Sequence, residues 1–216
     1  MAGDTGQRRP IKAREFAASQ AVAHFLSVRG VSPNGISLFG LACAVTAGML
    51  LAFAAPGAFW PWLFAALLIE GRLLCNMFDG MVAIERAVAS KLGELYNEVP
   101  DRIADIAVLV GLGYAPGGAP WLGYVAALAA VFTAYVRVLG VSLGAPADFS
   151  GLMAKPYRMQ TVALASVICA AATLIGASYE TVIGSFGVPA LALAVIAFGS
   201  ITTSLRRLIH LAAHLR

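Results

Sequence analysis

The sequence predicts an all-α polytopic membrane protein, six transmembrane helices preceded by an N-terminal amphipathic interfacial helix. Three observations predict it. Hydrophobic residues make up 60% of the chain and charged residues only 12%, about half the charge of a soluble domain, and mean hydropathy is +0.82. Six segments approach the roughly 20 apolar residues that a span needs. In a six-span arrangement the fifteen Lys and Arg all fall on one side, or in helix ends facing it.

The N-terminus carries Arg8 and Arg9 without the apolar run of a signal peptide behind them. Residues Ile11 to Val28 mix Lys12, Arg14 and Glu15 with Ile11, Phe16, Val22, Phe25 and Leu26. That pattern reads as a helix lying on the cytoplasmic leaflet. Its basic charge meets anionic membrane lipid, and a nucleic-acid partner is not expected. Two units are expected: residues 1–31 as cytoplasmic N-terminus and interfacial helix, and 32–216 as one six-helix membrane domain.

The six predicted spans are Ile36 to Pro56, Trp60 to Ala83, Ile103 to Pro116, Trp121 to Leu143, Gln160 to Ser178 and Val188 to Ser204. The third is too short alone and must extend back through Asp101 and Asn97 to about Gly93, which carries polar groups to the bilayer. The connections near Gly57, Gly117 and Tyr179 hold no Lys or Arg. By the positive-inside rule both termini are cytoplasmic, and a bacterial inner membrane is the expected location. Cys43, Cys75 and Cys169 sit in apolar stretches without metal-ligand spacing and read as small buried hydrophobes.

The chemistry is concentrated in a row of small and polar residues: Asn76, Asp79, Gly80 and Ala83, then Gly93, Asn97 and Asp101. Carboxylates at membrane depth mark a functional site. On a helix, Asn76, Asp79 and Ala83 share one face, as do Gly93, Asn97 and Asp101. Two such faces joined by a short turn converge. Their oxygen ligands suit Mg²⁺ or Mn²⁺, which share one or two carboxylates with substrate phosphates. Glycine and alanine let a bulky ligand approach the backbone.

These residues resemble the signature of the CDP-alcohol phosphotransferases, also called CDP-alcohol phosphatidyltransferases: Asp-x-x-Asp-Gly-x-x-Ala-Arg, eight residues, then Gly-x-x-x-Asp-x-x-x-Asp. The chain reads Asn76-x-x-Asp79-Gly80-x-x-Ala83-Ile84, eight residues, then Gly93-x-x-x-Asn97-x-x-x-Asp101. Every spacing agrees. Pro33-Asn34-Gly35-Ile36-Ser37 is similar to the family's start of helix 1. The resemblance implies an enzyme that moves a phosphatidyl group from a CDP-linked lipid, CDP-diacylglycerol by expectation, to an alcohol acceptor with release of CMP. It implies an active site at the cytoplasmic face and one or two Mg²⁺ or Mn²⁺ ions. By the same resemblance Asp79 is a metal ligand and Asp101 a ligand or the general base. Asn34, Ser37, Gly80, Ala83 and Gly93 then line the CDP site, and a homodimer is common to the family.

The departures are Asn76 and Asn97 in place of two aspartates, and Ile84 in place of arginine. They halve the carboxylate charge, and they keep open a second class of function: a regulatory relative that holds a CDP-lipid without turnover. Asn carbonyls still ligate hard cations. On the helical projection Arg86 lies near Asp79, and Glu94 and Glu98 lie near Asp101; Asp105 follows Asp101 by one turn. These four are candidate compensators. The alternatives are a solvated, dipole-favoured helix start for Glu94 and Glu98, and an ion pair for Asp105, for instance with Arg137. Arg137, Lys155 and Arg158 are candidates to receive an acceptor phosphate; Lys155 and Arg158 equally fit lipid headgroups or snorkelling anchors.

Overall fold

The computed structural model describes residue 14 and residues 16–88 and 91–215; for residues 91, 92 and 94 it describes the backbone only. Among the described residues seven helices follow one another: α1 (Ala17–Val28), α2 (Pro33–Ala52), α3 (Trp60–Glu85), α4 (Lys91–Tyr114), α5 (Pro120–Ser142), α6 (Lys155–Leu174) and α7 (Val188–His214). The all-α expectation holds.

The helix starts follow from local sequence. Pro33, Pro61, Pro120, Pro156 and Pro189 occupy the first or second helical position of α2, α3, α5, α6 and α7, where the missing N–H is not needed. Ser32 caps α2, its Oγ accepting from the Gly35 N–H at 3.0 Å. Pro100 lies inside α4.

The six-span expectation is corrected. Four helices, α2, α5, α6 and α7, are long and apolar enough to cross a membrane. The other two predicted spans have the length but not the composition. α3 carries Glu70, Arg72, Asp79 and Glu85, and α4 carries Lys91, Glu94, Glu98, Asp101, Arg102 and Asp105. These two helices supply the carboxylates of the polar site, whereas α2, α5, α6 and α7 contain no Asp or Glu. The last helix also runs ten residues beyond the predicted end at Ser204, to His214.

α2 packs along both α3 and α4, α5 lies against α4 and α7, α6 against α3 and α7, and α1 rests on α3. The core is rich in alanine, with Trp62, Leu51, Ile69, Leu109, Leu112, Leu193 and Ile196 filling it. The α2–α4 contact is a backbone approach. A Cβ on Gly48 would lie 2.3 Å from the Ala107 carbonyl oxygen, and one on Gly111 2.2 Å from that of Gly48. Small residues allow this contact in membrane helices. Outward faces carry Phe39, Phe64, Leu67, Leu128 and Phe198, all exposed, as a lipid-facing surface requires. α1 buries only Ala23 and exposes Val22, Phe25 and Val28.

The connections without Lys or Arg gather at one end of the bundle. The Gly117 carbonyl accepts from the Gly187 N–H at 2.9 Å, and Trp62 stacks edge-on with Tyr179 at 5.4 Å. The polar residues of α3, α4 and α6 gather at the other end.

Candidate active site

The site is built on turns of helix. α3 presents Arg72, Asn76 and Asp79, and α4 presents Asn97, Asp101 and Asp105, each set at spacings that share a face. α2 brings Ser37 and α6 brings Lys155.

Ser37 Oγ donates to Asp79 Oδ2 at 2.6 Å. Asn76 Nδ2 donates to Asn97 Oδ1 at 3.0 Å and to Asp101 Oδ1 at 3.3 Å. The same Asp101 oxygen takes Arg72 Nη2 and Lys155 Nζ. Asp101 Oδ2 faces Arg102 at 3.7 Å. Asp79, Asp101 and Arg72 are 5%, 6% and 0% exposed. Thus Asn76, Asp79, Asn97, Asp101, Ser37 and Lys155, all read from sequence, form one cluster in which Ser37, Asp79 and Asp101 are buried and Asn76, Asn97 and Lys155 half-buried. Asn34, Gly80, Ala83 and Gly93 are partly buried on α2, α3 and α4 in the turns flanking it.

The other candidates are placed differently. Arg86 is exposed and donates to the Gly30 and Val31 carbonyls at 3.3 and 3.1 Å, clamping the α1–α2 turn. It is the C-cap of α3, and its side chain is engaged by those carbonyls. Asp105 is wholly buried and pairs with Arg158, Nη2 to Oδ2 at 2.6 Å; Arg158 Nη1 also holds the Met153 carbonyl at 2.8 Å. The expected ion pair of Asp105 therefore exists with Arg158, and Arg137 pairs instead with Glu98 at 2.5 Å. Arg102 also approaches Glu98, at 3.6 Å, so Glu98 is held by two arginines. The side chain of Glu94 lies outside the described residues. Cys43, Cys75 and Cys169 are free thiols.

Arg72 is the site residue that sequence reasoning missed. The signal was available: an arginine one turn before Asn76, on the same face of a largely apolar helix. Arg207, near the end of α7, is another buried arginine. It donates to the Ser150 carbonyl at 2.9 and 3.0 Å and to the Thr133 carbonyl at 3.0 Å. A cavity of about 380 Å³ opens between α5 and α7, lined by Arg137, Asp148, Arg207, His210 and His214 among others. Burial alone would raise the Asp148 carboxyl, but bonds from Ser150 and His210 overcome it and hold it below the usual carboxylate range.

The donor set admits a hard cation. Two carboxylates and two carboxamides from α3 and α4 are an all-oxygen set of the kind Mg²⁺ or Mn²⁺ takes. Among the described residues, no three of His, Cys, Asp or Glu converge as a metal cage. The set therefore fits an ion shared with substrate phosphates.

The site is a carboxylate cluster at one end of an apolar helical bundle, with an oxygen donor set for a hard cation. The chain belongs to the CDP-alcohol phosphatidyltransferase family, whose match covers residues 30–198. It is thus an enzyme of the CDP-alcohol phosphatidyltransferase type and a multi-pass membrane protein. It is similar to phosphatidylinositol phosphate synthase of Streptomyces avermitilis, 29% identical over 202 residues, 87% of this chain and 75% of that one. Its fold is similar to that of Mycobacterium tuberculosis phosphatidylinositol phosphate synthase, solved with CDP-DAG bound: TM-score 0.71, 19% identity, 89% of this chain and 92% of that one. The same mycobacterial protein has been solved with manganese and citrate, again at TM-score 0.71 and 19% identity, over 89% and 88% of the two chains.

Proposed function

We propose that the enzyme transfers a phosphatidyl group from CDP-diacylglycerol to an alcohol, releasing CMP, at the buried cluster around Asp79 and Asp101. The observation that carries this reading is that α2, α3, α4 and α6 bring Ser37, Asp79, Asn76, Asn97, Asp101 and Lys155 together. The site is a variant of the family's signature, with Asn76 and Asn97 at two of its four aspartate positions.

Asp79 and Asp101 are the charged metal ligands, with Asn76 and Asn97 offering neutral oxygens. When bound, Mg²⁺ or Mn²⁺ neutralises diphosphate charge and polarises the phosphorus under attack. Ser37 holds Asp79 by its hydroxyl. Asn34, Gly80, Ala83 and Gly93 leave room for the CDP moiety. The acceptor hydroxyl oxygen attacks the phosphorus bearing diacylglycerol; its bond to the bridging oxygen breaks, and CMP leaves with that oxygen. Arg72 and Lys155 occupy Asp101 Oδ1, which leaves Oδ2 either to ligate the ion or, as the general base, to receive the acceptor proton directly or through a water. Arg137, in the wall of the α5–α7 cavity, is placed to meet a charged acceptor, whereas Arg158 serves the fold through Asp105.

The remaining pieces follow from charge distribution. Both termini face the cytoplasm, because the connections at the opposite end hold no Lys or Arg, and the active site faces the cytoplasm with them. Residues 32–216 act as the membrane domain and 1–31 as its interfacial lead, in a bacterial inner membrane.

The test is CMP release by purified protein from CDP-diacylglycerol vesicles with Mg²⁺ or Mn²⁺. Acceptors are offered in parallel: glycerol phosphate, inositol phosphate, serine and a phospholipid. Release with one acceptor is expected. No release with any of them, from folded protein that still binds the nucleotide, overturns the reading.

A further inference from the structure

We infer that Arg72 and Lys155 are built-in cations of the diphosphate site, and that because of them the site takes one divalent ion rather than two; this rests on the transfer reading above. Arg72 is fully buried on α3. Its Nη2 meets Asp101, but its Nε and Nη1 are buried with no hydrogen-bond partner. Asp101 alone therefore does not satisfy it, and unpaired buried donors are costly. α2 makes the space: a Cβ on Gly40 would meet Arg72 Nη1 at 2.9 Å.

Lys155 is held at equal disadvantage. It opens the first turn of α6, where the helix dipole disfavours a cation. Its Nζ is buried, and its partner is the oxygen that Arg72 already holds. Two cations on one carboxylate oxygen exceed what a structural ion pair requires.

The charges balance in a particular way. Asp79 and Asp101 contribute two negatives, Arg72 and Lys155 two positives, and Asn76 and Asn97 none. These groups sum to zero, and Arg102, 3.7 Å from Asp101 Oδ2, is answered by Glu98 at 3.6 Å. A diphosphate diester brings two negative charges, which one divalent ion balances. A second ion would leave two uncompensated positive charges in a buried, low-dielectric place, where they repel strongly. Arg72 and Lys155 are thus positioning residues: they act through Asp101, setting how much cation the site accepts.

The experiment counts Mn²⁺ by electron paramagnetic resonance on the full-length protein in zwitterionic nanodiscs containing CDP-diacylglycerol. One ion per chain is expected, and two would overturn the inference. Arg72→Gln and Lys155→Gln are then titrated alike. Each relieves repulsion at Asp101, so Mn²⁺ binding tightens by about tenfold, while affinity for CDP-diacylglycerol falls. Weakening of both ligands together would show a merely structural role and overturn it. Should either variant aggregate on size exclusion, the other variant and the wild-type count decide. A wild type that binds one Mn²⁺ but releases no CMP sinks the transfer reading and leaves this inference standing. Two ions with turnover sinks the inference alone.

Discussion

At the residue scale, the site depends on a few oriented side chains. Ser37 illustrates this. Its hydroxyl donates to Asp79 across the α2–α3 contact, fixing which way the carboxylate points. Partners of this kind typically tune metal affinity or activity by about ten- to a hundredfold. Ser37→Ala is therefore expected to lower CMP release by about that factor, with the Mn²⁺ requirement rising in parallel. A rate within twofold of wild type at limiting Mn²⁺ would remove Ser37 from the site. Ser37 was legible from its place in the Pro33–Ser37 stretch, and Asp79 and Asp101 from their spacing. Arg72 could be placed on the face of Asn76 by its spacing, but its partner could not, because a linear sequence does not say which carboxylate of a neighbouring helix it meets.

At the element scale, the α2–α4 contact sets the geometry of everything polar. Gly48 and Gly111 bring the two backbones together, and α4 carries Asn97 and Asp101 on the same rigid rod. Gly48→Ala places a Cβ 2.3 Å from a backbone oxygen, and neither helix can relieve that by a rotamer change. The helices must part, at a cost of about 1–3 kcal/mol. The expected outcome is a lower unfolding midpoint in detergent and reduced CMP release, although Gly48 touches no substrate. An unchanged midpoint would show that the contact is looser than drawn. The charged composition of α3 and α4 also belongs to this scale. Their apolar runs counted them as spans; the charged residues among them are what set them apart from α2, α5, α6 and α7.

At the scale of the whole molecule, the bundle has two unlike ends. One holds the tight connections around Gly57, Gly117 and Tyr179, and the other holds the carboxylate cluster with its arginines and Lys155. An even number of crossings returns the chain to the side it left. Reporter fusions at residue 1 and residue 216 are therefore expected to report the same, cytoplasmic, side. Opposite reports from the two ends would refute the charge-based orientation.

The helical class, the apolar character and the row of polar residues were written in the sequence by itself. Hydropathy and helical periodicity are local properties, and the spacing of Asn76, Asp79, Asn97 and Asp101 survives in one dimension. Only the tertiary structure decided the partners: Arg72 and Lys155 on Asp101, Arg158 on Asp105, Arg137 on Glu98, and Arg86 on the α1–α2 turn. The pairs on Asp101, Asp105 and Glu98 join residues as far as 54 positions apart, and helical projection relates only residues on one rod. Which buried charge answers which is settled when the rods pack.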